Sequence, residues 1–158
     1  MARGELVPDQ VVIDLIIQRL QEPDAEAGYV LDGFPRTIEQ AEKLAEVEDI
    51  DCVVNIDIDF NLLINRLTGR RSCPECGAVF HIQYKPPKNE GSCDKCGSDL
   101  IQRVDDNEDV IKSRLKSYNK QTKLLIQIYK EQDKLKNVPG SGTIDEISKA
   151  IISELEKI

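Results

Sequence analysis

Residues 51–59 read DCVVNIDID, and this segment decides the fold class. Its centre is a short apolar run rich in branched valine and isoleucine, bounded by aspartates. Such a run suits a strand buried in a parallel sheet, where helices cover both faces. Directly after it, NLLINRL at 61–67 changes to helical spacing and stops at Gly69. A strand passing straight into a helix is the repeating unit of an α/β fold.

The same alternation continues in both directions. Upstream, TIEQAEKLAEVE (37–48) reads as a helix, and GYVLD (28–32) before it reads as a second strand, the two joined by the turn GFPRT. Earlier still, Val11, Val12, Leu15, Ile16 and Leu20 lie three or four apart behind Pro8, predicting a helix that stops before Pro23. Downstream, residues 108–134 contain no proline or glycine. Val110, Ile111, Leu115, Tyr118, Thr122, Leu125 and Tyr129 mark one long helix there. A weak third strand at 136–138 leads into the loop NVPGSG (137–142). Thr143 with Glu146 then makes a capping box for a last helix carrying Ile144, Ile147, Ile151, Ile152 and Leu155. Two or three strands make a thin sheet for so many helices.

The chain has 158 residues, 40% hydrophobic and 32% charged, enough for one domain with a core and a small insertion. Its net charge of −8 argues against a general nucleic-acid binder, which needs a basic surface. No apolar run approaches the roughly 18 residues that span a bilayer, and MARGELVPDQ lacks the pattern of a signal peptide. A reducing cytoplasm is the expected compartment.

Residues 69–106 differ from the rest: Gly, Pro and Cys gather and helical periodicity vanishes. Cys73, Cys76, Cys93 and Cys96 form two Cys-x-x-Cys pairs sixteen residues apart, the spacing of a zinc ribbon or treble knuckle. Each pair turns both sulfurs inward, and Gly77 and Gly97 relax the backbone beyond it. Four thiolates close a tetrahedral zinc-type structural site, which leaves no coordination position for chemistry; disulfides or idle thiols are the alternative. Metal binding of this kind is worth on the order of 10 kcal/mol, ample to hold an insertion with little core. Cys52 reads as a buried core thiol.

Asp32 stands at the carboxyl end of the strand expected at 28–32, where open α/β sheets bind ligands. Gly33 allows close backbone approach, and Pro35 stiffens the turn that presents Arg36. On pattern alone an exposed arginine in a strand–turn–helix connection explains this stretch equally well. Yet Arg66, Arg70 and Arg71 enter the inserted segment, Arg103 leaves it, and Arg114 follows on the long helix. Arginines gathered at both hinges of one subdomain, in an acidic chain, suggest a cleft for a polyanionic small molecule.

These stretches together resemble adenylate kinase of the type with a zinc-bearing lid. The resemblance rests on GELVPD, GYVLDGFPRTIEQA, INRLTGRR, the cysteine quartet, FHIQYKPPK, QRVDDNEDVIKSRL and the capped last helix, nearly the whole chain. It implies a P-loop nucleoside-monophosphate-kinase-like parallel sheet with helices, N-terminally incomplete, plus an inserted zinc-bound lid. The implied division is core at 1–68, with the end of the AMP-binding subdomain at 1–7, lid at 69–106, and core again at 107–158. The implied reaction moves the γ-phosphoryl group of MgATP to AMP, giving two ADP, in adenine nucleotide homeostasis. The implied partners are ATP and AMP, with no nucleic acid and no membrane, and the implied ions are structural Zn2+ and the Mg2+ that accompanies ATP.

Carried over residue by residue, the resemblance puts the backbone of Glu5, Leu6 and Val7 beside the AMP adenine. Gly33, Phe34, Pro35 and Arg36 hold the AMP phosphate, and Gln40 meets the base. Asp32 orients water ligands of the magnesium. Arg66 stacks on the ATP adenine, Arg70 reaches the ATP phosphates, and Val79, Phe80 and Gly142 line the ATP side. Arg103 and Arg114 clasp the transferring phosphoryl group, also from the AMP side. Asp105 and Asp106 are expected to pair with lid arginines, and His81, the single histidine, to serve packing or the hinge rather than as a general base.

One departure is large. The 158 residues contain no G-x-x-x-x-G-K-[ST] loop, so the resemblance implies a chain short of that loop and of two strands. Such a chain is expected to be catalytically dead or very weak and to expose sheet edges through which it self-associates, where the full-length family form is a monomer. The rival readings are a zinc-ribbon interaction protein and a kinase-like chain that binds AMP without turnover.

Overall fold

The computed structural model describes residues 7–158. They form two compact units: Ile58–Arg114, and the described residues up to Asp57 together with Leu115–Ile158.

The second of these units holds the parallel sheet. β1 (Val53–Asp57) and β4 (Leu135–Pro139) pair in parallel, in register from Val53 opposite Leu135 to Asp57 opposite Pro139. The Val53 N–H donates to the Lys134 carbonyl and the Gly140 N–H to the Asp57 carbonyl. Odd-numbered residues of β1 therefore turn their backbone polar groups to β4, while those of Val54 and Ile56 point to the other edge. No third strand joins this sheet among the described residues.

Helices α1 (Asp9–Leu20) and α2 (Ile38–Ala45) share a core of Ile13, Phe34 and Leu44, with Val12, Ile16, Ile17, Leu20, Leu31 and Ile50 packed around it. A second cluster joins Ala41 of α2 to Leu125 and Tyr129 of α5 (Lys123–Glu131), over Val53 and Leu135 of the sheet. Helix α6 (Ile144–Leu155) starts from the expected box: Thr143 Oγ1 accepts from the Glu146 N–H at 3.3 Å, and Glu146 Oε2 accepts from the Thr143 N–H at 2.8 Å.

Three expectations change. GYVLD at 28–32 does not form a strand, and Val30 is 91% exposed. β propensity needs a paired neighbour to be realised, and none is present among the described residues. The helix expected over 108–134 is α4 (Glu108–Ser117), a five-residue π turn (Tyr118–Thr122), and α5. Cys52 is only half-buried, because it precedes β1 at the rim of the sheet; partial desolvation still pushes its thiol pKa up.

The Ile58–Arg114 unit begins with α3 (Phe60–Thr68), capped by Asp59, whose carboxylate accepts from the Asn61 and Leu62 N–H groups. An antiparallel pair follows, β2 (Arg70–Ser72) with β3 (Val79–His81), and isolated bridges tie Ser72 to Ile101 and Ser92 to Asp99. Its core cluster among the described residues is slight, Cys73, Ala78, Phe80 and Cys93 with Leu100 against them, and Ile111 of α4 is buried outside that cluster. No helix among the described residues is long and apolar enough to cross a membrane.

Candidate active site and metal centre

The four cysteines converge. Their sulfurs all lie within 4.8 Å of one another, with Cys73–Cys96 at 3.4 Å, Cys76–Cys93 at 3.5 Å and Cys96–Cys76 at 3.6 Å. These separations are far beyond a disulfide bond of about 2.05 Å. Four thiolates about 2.3 Å from a tetrahedral ion stand roughly 3.8 Å apart, so the donor set fits a metal.

Each half of the centre has the same backbone wiring. Gly77 N–H donates to the Cys73 carbonyl (3.1 Å) and Cys73 N–H to that of Ala78 (2.9 Å). Gly97 N–H donates to Cys93 (2.8 Å) and Cys93 N–H to Ser98 (2.8 Å). Hydrogen bonds from the Ser98 hydroxyl and backbone lower the Cys96 thiol to about 6. For Cys76 the backbone of Ala78 pulls downward, but desolvation and the sulfurs of Cys93, Cys73 and Cys96 push it up to about 12.

In the same unit Arg70, Arg103 and Arg114 are held by acids, whereas Arg71 donates to the Thr68 and Arg70 carbonyls. Asp106 is completely buried and takes two bonds from Arg70, Nε to Oδ2 at 2.8 Å and Nη2 to Oδ1 at 2.5 Å. This bidentate pairing raises the arginine's pKa above its already high ordinary value. Asp105 stands between two guanidinium groups, Arg103 Nε at 3.2 Å and Arg114 Nη1 at 3.4 Å. The expected pairing of these aspartates with arginines is thus present. Arg66 lies half-buried on α3, Val79 is exposed on β3, and Phe80 is buried in the metal-side core with Lys85 over its ring.

His81 is fixed by its surroundings. Its Nδ1 accepts from the Gln83 and Tyr84 N–H groups, both at 3.0 Å, which leaves Nε2 to carry the proton toward the Asn65 carbonyl at 3.3 Å. A Cβ on Gly69 would lie 2.3 Å from that Nε2, so residue 69 must be glycine for the ring to fit. A ring whose two nitrogens are so occupied packs against Gly69 at the end of α3.

In the other unit, GFPRT curls around its own arginine, across a cis Phe34–Pro35 peptide. Arg36 Nε donates to the Gly33 carbonyl at 2.6 Å. Gly33 has φ +74°, and a Cβ there would meet Arg36 Nη2 at 2.7 Å. The Arg36 N–H donates to Gln40 Oε1 at 2.7 Å. Gln40, only 2% exposed, donates from Nε2 to Asp9 at 2.8 Å, and the Thr37 hydroxyl donates to the same carboxylate at 2.8 Å. Both ends of the Gln40 amide are therefore engaged within the protein. Asp32 and Arg36 are exposed, and Gly142 is exposed just ahead of the Thr143 cap. Val7 is half-buried; Glu5 and Leu6 lie outside the described residues.

Sequence reasoning missed Asp9 and Thr122. Asp9 looks like any acid in a first helical turn. Thr122, whose hydroxyl donates to the Arg36 carbonyl at 2.9 Å, looks like one more position on a helical face. Neither carries a signal in a single sequence.

The profile of a family described as Adenylate kinase matches residues 1–134. The adenylate kinase of Syntrophobacter fumaroxidans is 51% identical over 152 residues, covering 93% of this chain and 71% of that protein. That of Thermodesulfovibrio yellowstonii is 47% identical over 162 residues, covering 99% of this chain and 75% of the relative. That of Archaeoglobus fulgidus is 45% identical over 163 residues, with 100% and 75% covered.

Proposed function

This chain belongs to the adenylate kinase family of ATP:AMP phosphotransferases, and from that premise we propose roles for its individual residues. Arg36 is the charged contact of the AMP phosphate, with Gly33, Phe34 and Pro35 shaping the cradle. Gln40 faces the AMP base once its amide releases Asp9, and the backbone of Glu5, Leu6 and Val7 borders the adenine. Residues 69–106 act as the lid, and the four cysteines hold zinc that lets it move as a unit. Arg66 and Arg70 serve ATP, with Val79, Phe80 and Gly142 beside it, while Arg103 and Arg114 grip the phosphoryl group in flight. Magnesium bound with ATP neutralises charge on its phosphates, and Asp32 orients the ion's water ligands.

The observation that carries this reading is the Asp105 carboxylate between Arg103 and Arg114. Two guanidinium groups that already share one anion can share a phosphoryl group in the same way. Phosphoryl transfer has little covalent chemistry for a protein to do; alignment and charge neutralisation provide most of the catalysis. An arginine in that role is worth about 10³- to 10⁵-fold, or roughly 4–7 kcal/mol. A closing lid also keeps water from the phosphoryl group.

Because the 158 residues include no G-x-x-x-x-G-K-[ST] loop, they bind AMP and turn over ATP only weakly when assayed alone. Free thiols at metal-binding separations suit the reducing cytoplasm, where the family reaction balances adenine nucleotides. The open edge of β1 gives the isolated chain a route to self-association. Calorimetry with AMP, beside a coupled assay of ADP formation, tests the whole reading. AMP binding lost on Arg36→Met, with slow turnover, is expected; near-normal turnover by the 158 residues refutes the weak-activity part, and AMP binding indifferent to Arg36 refutes the site.

A further inference from the structure

Thr122 closes the five-residue π turn between α4 and α5. Each π turn fits an extra residue into one turn and shifts the phase of whatever follows; such turns often lie at functional sites. Here the following helix is anchored, since Leu125 and Tyr129 of α5 are buried against Ala41 of α2. A threonine hydroxyl inside an ordinary helix commonly donates back to the carbonyl one turn earlier. This one instead donates to the Arg36 carbonyl at 2.9 Å.

Arg36 is thereby held from three directions. Its N–H goes to Gln40 and its Nε to the Gly33 carbonyl, while its own carbonyl takes the Thr122 hydroxyl. The first two bonds are local to the GFPRT turn and its helix. Only the third comes from a distant part of the chain, 86 residues away. It fixes the turn relative to α5, not merely relative to itself.

We propose that Thr122 is a positioning residue for Arg36, the widened turn aiming its hydroxyl so that the arginine is presented to the AMP phosphate. This rests on the assignment of Arg36 to that phosphate. The test is a binding cycle read by NMR titration, which follows affinities into the millimolar range, with AMP and adenosine as probes on the 158-residue chain. Thr122→Val keeps the branched shape and deletes the donor, and it should weaken AMP binding about three- to tenfold, the worth of one hydrogen bond. Thr122→Ser, which restores the donor, should bind AMP within about twofold of the parent. Adenosine, without a phosphate, should bind all three chains alike. In an Arg36→Met background Thr122→Val should cost nothing further, a coupling that a purely structural role does not produce.

Unchanged AMP affinity in Thr122→Val overturns the proposal, as does the same loss in the Arg36→Met background or an equal loss for adenosine. Thr122→Ala gives a second reading of donor loss should the valine variant fold poorly. If Arg36→Met alone binds AMP as tightly as the parent, the phosphate assignment falls, and the positioning role with it.

Discussion

Replacing Arg70 by methionine puts the electrostatics of the Ile58–Arg114 unit to a direct test. Methionine keeps an unbranched stem and removes both hydrogen bonds to Asp106. That carboxylate has no exposed surface, whereas the arginine is 25% exposed, so the stranded charge cannot reach water without opening the unit. Breaking a buried pair from one side costs about 3–5 kcal/mol. Asp106→Asn leaves a neutral amide whose single oxygen can accept from one guanidinium donor while its NH2 faces the other. It strands no charge but loses one of the two bonds and the ionic share of the other, about 2–3 kcal/mol. Removing both partners together, as Arg70→Met with Asp106→Leu, leaves nothing unpaired and should return to within about 1–2 kcal/mol of the parent. For a unit this small, each kcal/mol moves a melting midpoint by about 4–8 °C. The arginine variant should therefore lose at least about 12 °C. Peptide-resolved hydrogen exchange and urea unfolding of the metal-loaded chain read the effect where it arises. A loss below about 1 kcal/mol for Arg70→Met, or one no larger than that of Asp106→Asn, would refute the reasoning.

Other outcomes follow from the same geometry. Metal uptake should release protons and weaken as pH falls. At pH 7 Cys96, at about 6, is already largely ionised while Cys76, at about 12, must give up its proton. The slope should steepen below about pH 6, where Cys96 too must be deprotonated, as a competition titration against a chromophoric chelator will show. Chelating the metal, or Cys93→Ser, should collapse the amide dispersion of residues 70–101 while leaving that of α1, α2 and α5 intact, since only five side chains make the metal-side core. Gly69→Ala should cost about 1–3 kcal/mol, because its methyl group displaces the His81 ring from the Asn65 carbonyl. A melting curve indistinguishable from the parent's would show that the ring moves freely.

What a sequence can reveal depends on how local the cause is. The Thr143–Glu146 box involves four consecutive residues, and both of its bonds formed as expected. The cysteine quartet was legible because ligand spacing is itself the constraint. β1 was legible because a run of branched apolar residues has few other uses. GYVLD failed for the opposite reason: extended residues become a strand only when another backbone receives them. The π turn was invisible because Tyr118, Thr122, Leu125 and Tyr129 keep spacings that an uninterrupted helix also satisfies. At the candidate site the arginines could be nominated from their clustering, but their partners could not. That Gln40 is tied to Asp9, and Arg36 to Thr122, depends on contacts across 31 and 86 residues of chain.

The hexapeptides CPECGA and CDKCGS repeat one wiring diagram, each closed by its own pair of backbone bonds. All four ligands and the bonds that close each turn thus lie within twelve residues. The stretch from 82 to 91 supplies no ligand and reaches the second hexapeptide through the Lys88 N–H, which donates to Asp94 Oδ1 at 2.8 Å. Because that contact is made by a backbone N–H, side chains along the stretch can change charge or greasiness over generations without removing a ligand of the ion. A lineage can in this way redraw the outer surface around the ion and keep the hardware that holds it.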